Sequence, residues 1–130
     1  MNILLTGQPK SGKSTTLQKV IGQVGQKSGF LTAEIKDCDK RTGFEVVDSE
    51  GSSAVIAKVD SSSEIRVAKY GVETEGFEEL LKNLPEHQTN DLLYIDEIGE
   101  MQIQSDVFKD LVIKYLDSEN TLLGTISAVY

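Results

Sequence analysis

The segment Gly7-Gln8-Pro9-Lys10-Ser11-Gly12-Lys13-Ser14 constrains this chain more than anything else in it, because few folds can use such a run. It fits GxxxxGK[ST] at every fixed position, and its flanks have the required character. Residues 2–6 form a short apolar run that predicts a fully buried parallel strand. Residues 14–24 carry Leu17, Val20, Ile21 and Val24 on one helical stripe, with Gly25 as a stop. Strand, glycine loop and helix in that order predict a phosphate-binding loop. Gly7 and Gly12 let the backbone turn tightly and aim its N–H groups at phosphate oxygens. The helix that follows directs its positive end at the same charge. Lys13 is expected to reach the β- and γ-phosphates, and the Ser14 hydroxyl to ligate Mg²⁺. The expected cradle therefore runs from Gly7 through Gln8, Pro9, Lys10, Ser11 and Gly12 to Thr15.

The rest of the chain alternates between two periods. Residues 29–35 read as a second strand. Residues 43–47 and 54–59 are extended runs separated by the turn-rich Ser49-Glu50-Gly51-Ser52-Ser53, which predicts a hairpin. Residues 60–64 hold three serines in a row and read as an exposed loop. Phe77, Leu80, Leu81 and Leu84 give a helical stripe over 74–84, closed by Pro85. Residues 92–95 form another buried-strand run. Residues 105–116 predict a helix capped by Ser105, with Phe108, Leu111, Val112 and Tyr115 inward. Residues 121–127 are a last strand. Strands alternating with helices predict an α/β domain with a mainly parallel sheet, one domain over residues 1–130.

The second motif is Leu92-Leu93-Tyr94-Ile95-Asp96-Glu97. An apolar strand ending in Asp is the pattern in which the carboxylate holds the Mg²⁺ hydration shell, so Asp96 joins Ser14 as an expected metal residue. Glu97 follows at once and serves as general base for a water if it faces the γ-phosphate. Alone, a buried strand with acids at its end is common; beside the glycine loop it gains meaning.

Charge narrows the partners. Lys and Arg number 13 against 21 Asp and Glu, a net charge of −8. Nucleic acids and anionic lipids are bound through Lys and Arg, so such polyanions are poor partners for this surface. The single cysteine, Cys38, permits no internal disulfide, and it reads as an exposed thiol. No apolar run approaches the ~20 residues of a bilayer span, and no leader precedes the first strand. A cytoplasmic address is the simplest expectation. His87 stands in a polar connector without a second His or a matched Cys, and reads as solvated.

Taken together, these segments resemble the THEP1-type nucleoside-triphosphatases, small P-loop proteins of the ASCE class. The resemblance is carried by GQPKSGKSTTL at 7–17, GFLTAEI at 29–35, RTGFEVVD at 41–48, AKYGVET at 68–74 and DLLYIDEIGEMQ at 91–102. It implies a three-layer α/β/α P-loop fold with a small β-hairpin insertion, ATP or GTP as substrate with Mg²⁺, and Glu97 as the catalytic glutamate. Arg41 falls at the family's arginine and is a candidate for contacting phosphate or the transition state, against a solvated hairpin residue. Lys69 and Tyr70 match a family pair that reads as a structural loop. Gln102 stands where the family usually has Glu. In ASCE folds the strand after Asp96 inserts between that strand and the P-loop strand, so residues 121–127 should lie there, with Thr125 or Ser127 near the γ-phosphate. The family's last strand is not expected within residues 1–130. Without it the Ile3-Leu4-Leu5 strand becomes an apolar edge, to be covered by a C-terminal segment or by a second copy in a homodimer.

Three function classes fit these residues. A nucleoside-triphosphatase would use Glu97 to activate water, with Lys13, Arg41 and Mg²⁺ on the phosphate charge. A nucleotide or small-molecule kinase needs an arginine-rich lid, which two arginines make hard to build. A non-catalytic nucleotide-binding module needs only the loop.

Overall fold

The computed structural model describes residues 1–8 and 12–127. Its elements in chain order are β1 (Asn2–Gly7), α1 (Lys13–Ile21), β2 (Lys27–Asp37), β3 (Lys40–Asp48), β4 (Ser53–Lys58), β5 (Arg66–Val67), β6 (Tyr70–Val72), α2 (Thr74–Lys82), β7 (Leu92–Ile98), α3 (Asp106–Asp117) and β8 (Leu122–Ser127). A short 3-10 turn, Gln102–Gln104, follows β7. Pro9, Lys10 and Ser11, all expected in the phosphate cradle, lie outside the described residues.

One sheet holds all eight strands, in the order β1-β8-β7-β2-β3-β4-β6-β5. The first four are parallel to one another, with Leu4 opposite Gly124, Tyr94 opposite Leu123 and Phe30 opposite Ile95. As expected, β8 lies between β1 and β7. The remaining pairings are antiparallel. The expectation of a mainly parallel sheet is therefore corrected: the sheet is mixed. Connection length is the reason. A parallel neighbour needs a crossover of a dozen or more residues, whereas β2 and β3 are joined through Cys38 and Asp39 alone. Both sit at positive φ, 50° and 64°, as a two-residue hairpin turn requires. The expected β3–β4 hairpin is present, but it continues the main sheet instead of standing apart from it. Lys69 is the turn residue after Ala68, but Tyr70, expected in a structural loop, opens β6.

Helices cover both faces. Alternation along β7 sends Leu93 and Ile95 to one side and Leu92 and Tyr94 to the other. On the first side α2 and α3 pack, with Phe30, Phe77 and Phe108 meeting at centroid separations of 5.7, 6.0 and 5.8 Å. On the second, Leu17 and Ile21 of α1 pack on Tyr94 and Leu123. The first core reaches across both halves of the sheet, since it includes Val46 and Ile56 as well as Leu93 and Leu122.

Strand β1 is parallel, as expected, yet it is not fully buried. It forms the sheet edge, and Ile3 and Leu4 are 40% and 41% exposed. The reason is that β8 covers one side of β1 and no described strand pairs with the other. Ser105 caps α3 by accepting from the Phe108 N–H at 3.1 Å, as its place in the sequence predicts. No helix among the described residues is long and apolar enough to cross a membrane.

Candidate active site at the carboxyl ends of the parallel strands

Helix α1 begins at Lys13, and its N-cap is Gly12, held at φ 89° and ψ 9°. That left-handed conformation suits glycine, and a glycine has no side chain with which to cap the first turn. No acid stands in the first turn either. In α3, by contrast, the Ser105 hydroxyl occupies one of the equivalent donors, the Phe108 N–H, and Asp106 sits in the first turn. The α1 end thus keeps its positive pole for an external anion.

Behind that helix end lies Asp96, at the end of β7 and only 2% exposed. Ser14 Oγ donates to its carboxylate, 3.0 Å from Oδ1 and 2.8 Å from Oδ2. Thr125 of β8, fully buried, donates to Oδ1 at 2.7 Å. Two hydroxyls from different strands and helices therefore orient one carboxylate, and the parallel order β1-β8-β7 brings all three side chains to the same end of the sheet. Lys13 Nζ is turned back onto the Gly7 carbonyl at 3.2 Å.

Glu97 is next along the chain and lines a cavity of about 320 Å³ together with Ser14, Asp96, Thr32, Gln102 and Ser127. Burial pushes its carboxyl above the usual carboxylate range; Lys13 opposes that shift and Asp96 adds to it. A carboxylate held reluctantly ionised in a cavity is disposed to take a proton. The outer wall is built by Glu34, Phe44, Val67, Glu100 and Met101.

Arg41 does not line that cavity. Its Nε donates to the Tyr70 hydroxyl at 2.9 Å and its guanidinium pairs with Glu34 at 3.2 Å. It also stacks over Phe44 and Tyr70, with the guanidinium carbon 5.2 and 5.9 Å from the ring centroids. The structure thus brings Ser14, Asp96, Glu97, Thr125 and Ser127 together and leaves Arg41 one residue removed, behind Glu34. Sequence reasoning missed Thr32, whose hydroxyl donates to the Asp96 carbonyl at 2.5 Å. Its only signal was its place in GFLTAEI.

The donors at the α1 end are hard oxygens, a hydroxyl and a carboxylate, the set that suits Mg²⁺. Among the described residues no cluster of three or more His, Cys, Asp or Glu could hold a metal by itself. A metal at Ser14 and Asp96 would rely on phosphate oxygens for further ligands, as Mg²⁺ commonly does.

The chain is similar to known proteins along nearly its whole length. The model of a family described as NTPase matches residues 2–129. A nucleoside-triphosphatase THEP1 from Thermotoga maritima is 37% identical over 128 residues, covering 97% of this chain and 74% of that protein. One from Natranaerobius thermophilus is 40% identical over 131 residues, covering 96% and 74%. The crystal structure of THEP1 from the hyperthermophile Aquifex aeolicus superposes with a TM-score of 0.84 at 30% identity, over 99% of this chain and 78% of that one. The solution structure of a human cancer-related nucleoside triphosphatase gives 0.79, also at 30% identity, over 99% and 77%.

Proposed function

Because the chain belongs to the NTPase family, we propose that it is a Mg²⁺-dependent nucleoside-triphosphatase that hydrolyses the γ-phosphate of ATP or GTP to a diphosphate and phosphate. One observation carries the reading. The Asp96 carboxylate is gripped by Ser14 at the open N-terminus of α1, and Glu97 enters the adjoining cavity beside it.

The triphosphate lies on the backbone from Gly7 to Thr15, where Pro9, Lys10 and Ser11 complete the cradle on the strength of the motif. Lys13 leaves the Gly7 carbonyl and turns to the β- and γ-phosphates. Ser14 and Asp96 would hold Mg²⁺, which would supply positive charge to the phosphate oxygens when bound. Glu97 accepts a hydrogen bond from a water placed in line with the γ-phosphorus and takes its proton as the new P–O bond forms and the bond to the β–γ bridging oxygen breaks, releasing the nucleoside diphosphate. Thr125 keeps Asp96 oriented throughout. Arg41 reaches the transferred phosphate by exchanging Glu34 for it, a carboxylate for a phosphate oxygen.

The test is phosphate release from ATP, GTP, CTP and UTP, with Mg²⁺ or with EDTA, for the native chain and for Lys13→Ala. Mg²⁺-dependent release matched by nucleoside diphosphate, and lost in Lys13→Ala, is the expected result. Nucleotide binding without release in Mg²⁺ would defeat the hydrolase reading.

A further inference from the structure

The strand that carries Asp96 and Glu97 loses its regular partners where the chemistry begins. Pairing of β7 with β2 stops at Phe30 opposite Ile95. Pairing with β8 is irregular between Ile95 and Ile98. The backbone of Asp96 and Glu97 thus lies past the ladder on one side and inside a break on the other. A buried carbonyl in such a place needs another donor.

Thr32 supplies it, through the 2.5 Å hydrogen bond from Oγ1 to the Asp96 carbonyl. Thr32 is in turn held by Gln102, whose Nε2 donates to the same Oγ1 at 3.3 Å. A hydroxyl has one proton and can also accept. Because it accepts from Gln102, the threonine proton is committed to Asp96. Gln102 is only 3% exposed, an uncommon site for an amide unless its hydrogen bonds are used. Its other amide atom lies over Gly99: a Cβ there would stand 3.0 Å from Gln102 Oε1 and 3.3 Å from Glu97 Cδ. Gly99 therefore leaves one gap that the Gln102 amide and the Glu97 carboxyl share.

We propose that Thr32 and Gln102 are positioning residues, a relay from Gln102 through Thr32 to the Asp96 carbonyl that fixes the peptide from which Glu97 projects and so aims its carboxylate at the attacking water. The inference rests on the hydrolase reading above. It makes β2, a strand without any group of the two phosphate motifs, part of the machinery. A glutamine in the Gln102 position suits the task because an ionised carboxylate cannot donate to Thr32.

The experiment compares Thr32→Val, Thr32→Ser and Gln102→Leu in steady-state hydrolysis of MgATP. Valine keeps the shape of threonine and removes the hydroxyl. Thr32→Val should lower kcat about tenfold, the effect of one ordinary hydrogen bond, with KM within error of the native chain and Tm lower by a few degrees because the buried Asp96 carbonyl and Gln102 amide lose a partner. Thr32→Ser should restore most of that loss, and Gln102→Leu should give a smaller, several-fold reduction. Added to Glu97→Gln, Thr32→Val should cost nothing further, since the relay acts through Glu97. The proposal is overturned if Thr32→Val keeps kcat within twofold, or if the tenfold loss persists in the Glu97→Gln background. A Glu97→Gln variant as fast as the native chain also overturns the proposal, since no catalytic carboxylate is then being aimed, whereas a native chain that releases no phosphate counts against the hydrolase reading instead. In that event the crystal structure of Thr32→Val decides: a displaced Glu97 carboxyl upholds the relay, and an unmoved one ends it.

Discussion

On one side of β2 stands β7, parallel to it and buried along most of its length; on the other stands β3, antiparallel and joined to it through two residues. The two neighbours show what each kind of pairing can contribute. Parallel strands all end at the same edge, and the helix that follows one of them begins there. That places Ser14, Asp96, Glu97 and Thr125 together although up to 111 positions separate them in the chain (125 − 14). Antiparallel strands deliver residues to both ends and through short turns, so β3 to β6 build a wall for the cavity and not its chemical centre. Phe44 and Val67 are that wall, and Arg41 stands behind it.

The two halves share a core, and the most disruptive change is aimed at the sharing. Phe77 of α2 touches Phe30 and Phe108 and is fully buried. Phe77→Ala should cost about 3–5 kcal/mol, the usual loss for a buried phenylalanine. Chemical denaturation followed by circular dichroism should show one transition in the native chain. Two separated transitions would show that the halves fold independently and would break the comparison.

Arg41→Ala probes the boundary next. If the guanidinium exchanges Glu34 for phosphate during the reaction, kcat should fall about tenfold, equivalent to ~1.4 kcal/mol of transition-state stabilisation. As a half-exposed ion pair alone, Arg41 and Glu34 would contribute under ~1 kcal/mol to stability and nothing to kcat. An unchanged kcat would assign Arg41 wholly to the wall.

The smallest effect has a sign that is easily mistaken. The Glu97 carboxyl titrates higher in the folded chain than in the unfolded one, mainly through burial. Its contribution to stability is therefore full below the unfolded value and lost as pH rises through the folded one. Without nucleotide or metal, Glu97→Gln should be the more stable protein at neutral pH. Its Tm advantage should grow from acid toward neutral pH and then level off. A variant less stable than the native chain at every pH would refute the account of this carboxyl.

Much of the parallel half was legible in the sequence because its signals are local. GxxxxGKS between a strand and a helix, and an apolar run ending at Asp96, each report chemistry within a few residues. Ser105 likewise announced its own capping hydrogen bond. The antiparallel half was legible only as a hairpin. Nothing in Lys36-Asp37-Cys38-Asp39-Lys40 resembles the Asn-Gly or Asp-Gly pairs that mark a two-residue turn, so the reversal of direction after β2 was missed. The three residues of β6 were too few to show a period. Thr32 and Gln102 were hidden for another reason: they are 70 positions apart, and only tertiary structure puts an amide on a hydroxyl on a carbonyl.

The proposed chemistry is centred in the parallel half, where Glu97 performs the proton transfer and Arg41 assists from across the boundary. Single-turnover phosphate release from saturating MgATP, native chain against Glu97→Gln, tests it most directly, with nucleotide affinity measured by calorimetry on both. The account predicts a rate lowered roughly 10²-fold or more, with affinity unchanged within a few-fold. A Glu97→Gln variant that releases phosphate within a few-fold of the native rate would contradict it.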